Sequence, residues 1–291
     1  MKISVIIPCY NEEITISQVI EEFIKYLPEC EINVFDNNSK DNSKKLAKQS
    51  GALVTDVNYQ GKGEVVRKAF SDIEADIYIM VDGDMQYDIS QIKNYINYFL
   101  DKKLDMLNIA RNVVYRDVHR KFHTFGNIIL TGFVNMFFGN RFKDVLSGYK
   151  IFSRRFVKSF PAASRGFEIE TELTVFALQM RLPIDEVEAK YFKRPEGSHS
   201  KLNTFKDGFR ILFTIFYFVM IEKPFIFFST ISIILLGIFL SVYHFLTINK
   251  YLTIFLIILS FLSFFTGLIM NMIRKSIDEN RRFKYNSIKK N

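Results

Sequence analysis

The stretch Ile79-Met80-Val81-Asp82-Gly83-Asp84-Met85-Gln86 decides the fold. The apolar run Ile77 to Val81 reads as a buried strand. It stops at two aspartates one residue apart, followed by Gln86 and Asp88. In an open α/β sheet, ligands bind outside the carboxyl ends of the strands. Two carboxylates fixed there suit a hard divalent cation that also holds phosphate oxygens. Asp-Gly also favours hairpin turns, but no second strand follows. From Ser90 to Leu100 the apolar residues Ile92, Tyr95, Ile96 and Phe99 fall at helical spacing. Strand, acidic loop and helix form the βα unit in which a metal site would sit, although a lone Asp-x-Asp does not by itself define one.

The pattern repeats on both sides of this unit. Strands are expected at Ile3 to Ile7, Glu31 to Phe35, Ala52 to Val57, Asp105 to Ala110 and Ile184 to Ala189. Helices are expected from Thr15, as its cap, to about Leu27, from about Ser43 to Ser50, and from Glu64 to Ile73. Further helices are expected over 116–140 and from Phe167 to Met180. Strands alternating with helices mean a doubly wound, mostly parallel sheet. The polar loops Tyr10 to Glu12, Asp36 to Ser39, Gly61 to Gly63 and Asp82 to Gln86 should converge on one crevice. Asp144 to Lys150 reads as a loop; Glu168 and Glu172 share a helix face and Glu170 points elsewhere, and all three read as solvated, with one of them reaching the crevice near the sugar as the alternative.

The composition shifts after Phe205. Pro224 to Ile248 and Tyr251 to Ile273 carry no charged residue, and each is long enough for a bilayer core, which needs about 20 residues. With only Asn249 and Lys250 between them, they read as a two-helix transmembrane hairpin (224–248 and 251–273). Residues 206–223 read as an interfacial amphipathic helix, with a plain core helix as the alternative. The basic tail, 274–291, reads as loosely ordered and, by the positive-inside rule, cytosolic. The apolar run before Pro8 is too short for a secretion signal. The expected arrangement is a cytosolic domain over 1–205, both termini cytosolic, and a multi-pass cytoplasmic-membrane location.

The net charge of +8 fits an anionic membrane surface or nucleic acid. The position of the basic tail beside the spans favours lipid headgroups, and no nucleic-acid partner is expected. The 2 cysteines and 4 histidines lack metal-ligand spacing. No Gly-x-Gly-x-x-Gly, Walker A or serine-elbow pattern occurs.

Five segments together carry a family resemblance: Ile6-Ile7-Pro8-Cys9-Tyr10-Asn11-Glu12, Asp36-Asn37-Asn38-Ser39, Asp82-Gly83-Asp84 with Gln86, Ser147-Gly148-Tyr149-Lys150-Ile151-Phe152, and 194–202. In this order, and with the paired apolar helices, the chain resembles family-two glycosyltransferases of the polyprenyl-phosphate (dolichyl-phosphate mannose synthase-like) branch. The resemblance implies a GT-A, Rossmann-like fold and inverting transfer of a sugar from a nucleoside-diphosphate sugar, read as a UDP-sugar, to a polyprenyl phosphate. A divalent metal, Mg2+ or Mn2+, would assist. It also leaves a homo-oligomer open.

Residue by residue, the resemblance assigns Pro8, Tyr10, Glu12 and Asp36 to the nucleotide, with Lys62 and Asp82 beside them. Asp82, Asp84 and Gln86 fall to the metal and diphosphate. Arg111 faces the phosphates, and Arg194, Ser200 and Lys201 belong to a loop closing over the reacting groups. Two positions depart from the family pattern. Asn37 stands where a second aspartate is frequent, and Thr124 stands where an arginine is expected, leaving Arg120 or Lys121 for the acceptor phosphate. An ionised phosphate acceptor needs no general base. Other lipid acceptors such as diacylglycerol, and a non-catalytic nucleotide-sugar-binding scaffold, are the competing readings. A processive synthase is disfavoured, because that branch carries a tryptophan motif and this chain has 0 Trp.

Overall fold

The computed structural model describes residues 1–114, 121–199, 201, 204–245 and 250–289, without the side chains of 121–125, 204–207, 242–245 and 250. Seven strands, β1 (Ile3–Cys9), β2 (Glu31–Asp36), β3 (Leu53–Asp56), β4 (Ile77–Met80), β5 (Met106–Val113), β6 (Lys150–Ser153) and β7 (Ile184–Tyr191), form one sheet. Its order is β3-β2-β1-β4-β6-β5-β7. All neighbours are parallel except β6, which runs antiparallel to both β4 and β5. The central strands β1 and β4 are almost wholly apolar, Ser4 being the polar exception in β1, because both faces are covered. The order reverses between β1 and β4, which is where such sheets open a binding crevice.

The helices are α1 (Ile16–Tyr26), α2 (Ser43–Gln49), α3 (Lys62–Asp72), α4 (Ile92–Asp101), α5 (Lys121–Phe138), α6 (Arg154–Ser159) and α7 (Ile169–Gln179), followed by α8 (Thr204–Glu222), α9 (Pro224–Phe245) and α10 (Lys250–Ser287). In α1, Ile16, Val19, Ile20 and Phe23 are buried, as their 3.6-residue spacing requires. β6 is the one strand that periodicity does not reveal. Its four residues are too few to display a period, and the segment looks like the end of a loop.

The chain divides into two compact units, Met1–Leu212 with Lys284–Asn291, and Phe213–Phe283. In the second, α9 and α10 are long and apolar enough to cross a membrane, and only 6% and 11% of their apolar windows are buried. A core helix would be largely covered. Their seam combines aromatic contact, as between Phe225 and Phe264, with small polar residues. Ser232 and Ser260 hydroxyls lie 2.9 Å apart, and Ser263 donates to the Phe228 carbonyl at 2.9 Å. A Cβ on Gly267 would sit 2.9 Å from that of Phe228, so only glycine allows this approach. At one end of the pair, the buried Arg274 is paired with Glu222 and Asp278.

The tail differs from expectation. It continues α10 as helix to Ser287, and its last residues belong to the first unit. The reason is a set of polar contacts. Tyr285 donates its hydroxyl to the buried Asp105 at the start of β5, and Arg155 lies 4.4 Å over the Tyr285 ring. Asp105 also accepts from Ser153 at 2.6 Å. Tyr285→Phe removes one charge-assisted hydrogen bond and should loosen the tail by about 1–2 kcal/mol. Trypsin cleavage at Lys284 of the detergent-solubilised chain is expected to accelerate about tenfold. An unchanged rate would show that Tyr285 does not hold the tail.

Candidate active site

The acidic loop is held from three sides. Val81 continues β4 by donating its amide to the Ile6 carbonyl at 3.1 Å. Thr15 does not cap α1 through its side chain. Its hydroxyl donates to the Gly83 carbonyl at 2.7 Å, which ties the start of α1 to the acidic loop. Met85 takes a left-handed backbone (φ 59), which turns the chain so that the Gln86 amide reaches Asp84 Oδ1 at 3.2 Å. Asp84 is buried, while Asp82 remains partly open to the cleft. A Cβ on Gly148 would lie 2.1 Å from Asp82 Oδ2. That explains the glycine of the Ser-Gly-Tyr-Lys segment, since the carboxylate occupies the space of a side chain.

Cations face these carboxylates from distant parts of the chain. The Lys62 ammonium is buried between Asp82 and Glu170 and is ion-paired with both. The backbone around it is tightly fixed. A Cβ on Gly61 or Gly63 would meet the carbonyls of Arg165 or Ser164 at 2.2 and 2.1 Å, and the Gly63 amide donates to the Arg165 carbonyl at 2.9 Å. Arg194 bridges two loops, with Nη2 at 2.6 Å from Asp84 and Nη1 at 3.4 Å from Glu12. Lys201 donates to the Asn11 carbonyl at 2.7 Å and lies 3.4 Å from Glu12. Burial raises the Asp84 carboxyl above its ordinary range, as does Asp82, while Arg194 works against both. Burial likewise raises Glu12, against the pull of Arg194 and Lys201.

Pro8, Tyr10, Glu12, Lys62, Asp82, Asp84, Gln86, Arg111, Arg194 and Lys201 all line one cleft of about 1370 Å³. Their roles differ in geometry. Arg111 places Nε and Nη2 each 2.7 Å from the Asp144 carboxylate, a bidentate grip. Gln86 spends its side chain on β7 and the residue after it, accepting from the Tyr191 hydroxyl at 2.8 Å and donating to the Phe192 carbonyl at 3.0 Å. Asp36 lies at the end of β2. Its Oδ2 accepts from the Ser39 amide at 3.2 Å, and its buried Oδ1 has no hydrogen-bond partner. Asn37 closes a ring that no aspartate could. Its amide nitrogen donates to the Val57 and Tyr59 carbonyls at 3.1 and 2.6 Å, and its oxygen accepts from the Gly61 amide at 2.6 Å. Cys9 is buried, and burial, with Asp36 next in effect, pushes its thiol up to about 12, which makes it inert filler.

The glutamates of α7 are a correction. Glu168, Glu170 and Glu172 are buried, not solvated, because the helix is covered on nearly every side. Glu170 meets Lys62, Glu172 accepts from the Ala163 and Ser164 amides at 2.8 and 2.7 Å, and Glu168 pairs with Arg210 at 3.2 Å. Asp144 is the site residue that sequence reasoning missed, and Glu170 is the α7 glutamate that meets the alternative reading of one glutamate reaching the crevice. The glycines flanking Lys62 were the available signal for a close approach there, but nothing in the spacing pointed to residue 170. Ser200 and Arg120, and the side chains of Lys121 and Thr124, lie outside the described residues.

A magnesium- or manganese-like cation takes one or two carboxylates and completes its shell with substrate phosphates and water. Asp82 and Asp84 offer that donor set at the cleft edge. Among the described residues no group of three acidic, histidine or cysteine ligands occurs. The site therefore fits a cation that arrives with phosphate better than one held in an all-protein cage.

Residues 4–160 match the family described as glycosyl transferase family 2. Protein RfbJ of Shigella flexneri is 47% identical over 123 residues, which cover 40% of this chain and 95% of that protein. Glycosyltransferase AglJ of Haloferax volcanii is 29% identical over 241 residues, 79% of this chain and 76% of that one. A dolichyl-phosphate beta-glucosyltransferase of Dictyostelium discoideum is 26% identical over 235 residues, 72% and 71% of the two chains. Among solved structures, glucosyl-3-phosphoglycerate synthase from Mycobacterium tuberculosis, in complex with Mn2+, UDP and glucosyl-3-phosphoglycerate, superposes with TM-score 0.59 at 19% identity. It covers 74% of this chain and 78% of that one, and the likeness shows a GT-A type fold.

Lys62→Met would leave Glu170 and Asp82 without their shared cation and should cost about 3–5 kcal/mol of stability. Adding Glu170→Gln should recover part of that, because one stranded charge is then gone. Urea unfolding of the single and double variants measures both. Equal stability of wild type and Lys62→Met would mean that the buried pair is not formed.

Proposed function

The chain belongs to glycosyl transferase family 2, and from that premise we propose that it transfers a sugar from a UDP-sugar to a polyprenyl phosphate at the cytosolic face of a membrane. One observation carries the reading. The buried carboxylates lining the cleft, Glu12, Asp84, Asp144 and Glu170, each face a cation, on a chain with two apolar helices of spanning length. Such a site binds phosphates well, and these four carboxylates are committed to their cations. Relatives named as dolichyl-phosphate and undecaprenyl-phosphate transferases support the acceptor class.

The donor nucleotide is read at the ends of β1 and β2. The unpartnered, buried Asp36 Oδ1 suits an N–H donor on the base, which the uracil imide supplies. Pro8 and Tyr10 form the wall beside it. Asp84, with Asp82, would hold the divalent cation, which neutralises charge on the departing diphosphate. Arg194 and Lys201, already folded onto Glu12 and Asp84, have the reach to bind phosphate oxygens in the same place. Arg111, oriented by Asp144, adds positive charge on the opposite wall. Holding donor and acceptor phosphates together supplies proximity and orientation. The acceptor phosphate, with a second pKa of about 6, is already ionised and attacks without help.

The acceptor tail stays in the bilayer, so the cleft must lie at its surface. In α8 the apolar residues Phe209 and Phe213 stay exposed beside a buried stripe that includes Ile211 and Ile215. In α5, Ile128 and Met136 are exposed as well. Gly126, Asn127, Gly208 and Ile211 of these two helices line the cleft. We read both helices as lying in the membrane interface.

Release of UDP from a panel of UDP-hexoses, with and without undecaprenyl phosphate, tests the reading. Release should require both the lipid phosphate and Mg2+ or Mn2+. Release that instead follows diacylglycerol, or none with any donor, would favour a different acceptor or a binding scaffold. Asp84→Ala should lower turnover roughly a hundredfold or more with membrane insertion unchanged. Full activity would reduce the acidic loop to a turn.

A further inference from the structure

Beneath the cleft floor lies a lysine that the reaction as described does not use. Lys150 opens β6, with its Cα paired to Met80 of β4 and to Asn108 of β5. It thus stands between the strand that leads to the acidic loop and the strand that leads to Arg111. Its side chain is fully buried, and its ammonium donates to Asn108 Oδ1. The Asn108 amide nitrogen in turn donates to the Asp144 carbonyl at 2.9 Å and to Glu186 at 2.7 Å. The carboxylates facing Lys150 come from three directions: Glu170 on α7, Asp144 before β6 and Glu186 on β7, with Lys62 on α3 as the opposing like charge.

A buried ammonium whose hydrogen-bond partner is a neutral amide is expensive. Methionine would fill a similar volume in the sheet at no electrostatic cost. What the charge supplies is a positive potential under both ion pairs of the cleft floor, Lys62 with Asp82 and Glu170, and Arg111 with Asp144. We propose that Lys150 is a positioning residue for sugar transfer, its buried ammonium keeping Glu170 and Asp144 ionised so that Lys62, Asp82 and Arg111 stay where the diphosphate and acceptor phosphate meet them. The proposal rests on the function given above.

Burial brings the Lys150 ammonium down to about 8, against the pull of Glu170, Asp144 and Glu186. Its charge is therefore lost just above neutral pH. UDP release by the full-length chain with undecaprenyl phosphate should fall above pH 8 in the wild type. Lys150→Met should fold, lose roughly tenfold or more of kcat/KM at neutral pH, and lack the alkaline limb. Lys150→Arg should retain activity and carry the limb to higher pH, because a guanidinium does not titrate there. A Lys150→Met variant with wild-type rate, or an unmoved alkaline limb in both variants, would overturn the proposal.

Wild-type protein that turns over no donor would instead defeat the function reading, and a second measurement then still tests Lys150. Between pH 8 and 10.5 the unfolded lysine holds a proton that the folded one has lost. The wild type should therefore gain thermal stability relative to Lys150→Met as pH rises through that window. A difference independent of pH would show that folded Lys150 keeps its proton throughout that window, and the loss of charge on which the proposed alkaline limb depends would be overturned.

Discussion

Buried carboxylates crowd the carboxyl edge of one sheet, and the fold around them is arranged to keep them charged. Glu12 follows β1, Asp84 follows β4, Asp144 precedes β6 and Glu170 starts α7. None could stay ionised alone in such a setting. Each meets a cation from a segment remote in sequence: Arg194 and Lys201 from the loop after β7, Lys62 from the start of α3, and Arg111 from the end of β5. This pairing explains local features that otherwise look unrelated. Gly61 and Gly63 bring the backbone against residues 164–166 so that Lys62 can reach two acids, and Gly148 yields its side-chain space to Asp82. The same pairing places Arg194 at the cleft, because it joins Glu12 to Asp84.

The parts of this arrangement legible in the sequence are those with a period or a short-range signature. Alternating apolar runs and helical spacing place the parallel strands and the helices between them. The acidic loop, the Gly-Lys-Gly turn and the Arg-Pro-Glu-Gly loop lie at strand ends where ligands bind. What stays hidden depends on long-range pairing. β6 is only four residues long, and its antiparallel insertion between β4 and β5 is a tertiary fact. The glutamates of α7 have the spacing of a solvated face and are nonetheless buried, because their partners come from α3, α8 and the 163–164 backbone. A charged helix face reads as exposed unless those partners are known. Asn37 stands where an aspartate is frequent, and its sequence position alone does not say what its side chain does. The structure makes it a turn-closing amide that donates twice and accepts once.

The tail shows the same limit. Its basic, asparagine-rich sequence has no core periodicity, yet it remains helical and returns to the catalytic unit through Tyr285. At about 1.5 Å per residue, the 38 residues of α10 run to roughly 57 Å, well beyond a hydrocarbon core of about 30 Å. On the proposed membrane reading, the excess length lets the helix leave the bilayer and end on the unit that holds the N-terminus.

The commitment of the cleft's carboxylates also bears on the acceptor. Attack by an alcohol such as the hydroxyl of diacylglycerol requires that its proton be taken as the bond forms. A base for that purpose should be a carboxylate or imidazole with its lone pairs free toward the cleft. Glu12, Asp82, Asp84 and Glu170 are each ion-paired with a lysine or arginine, so these carboxylates spend lone pairs on cations instead of leaving them free toward the cleft. A phosphate acceptor avoids the requirement, since it is ionised before it binds. It also gains from the cations that make a base unnecessary, because Arg194, Lys201 and Arg111 attract an anion and would do little for a neutral hydroxyl. The charge pattern that keeps the site folded thus favours an acidic lipid over an alcoholic one.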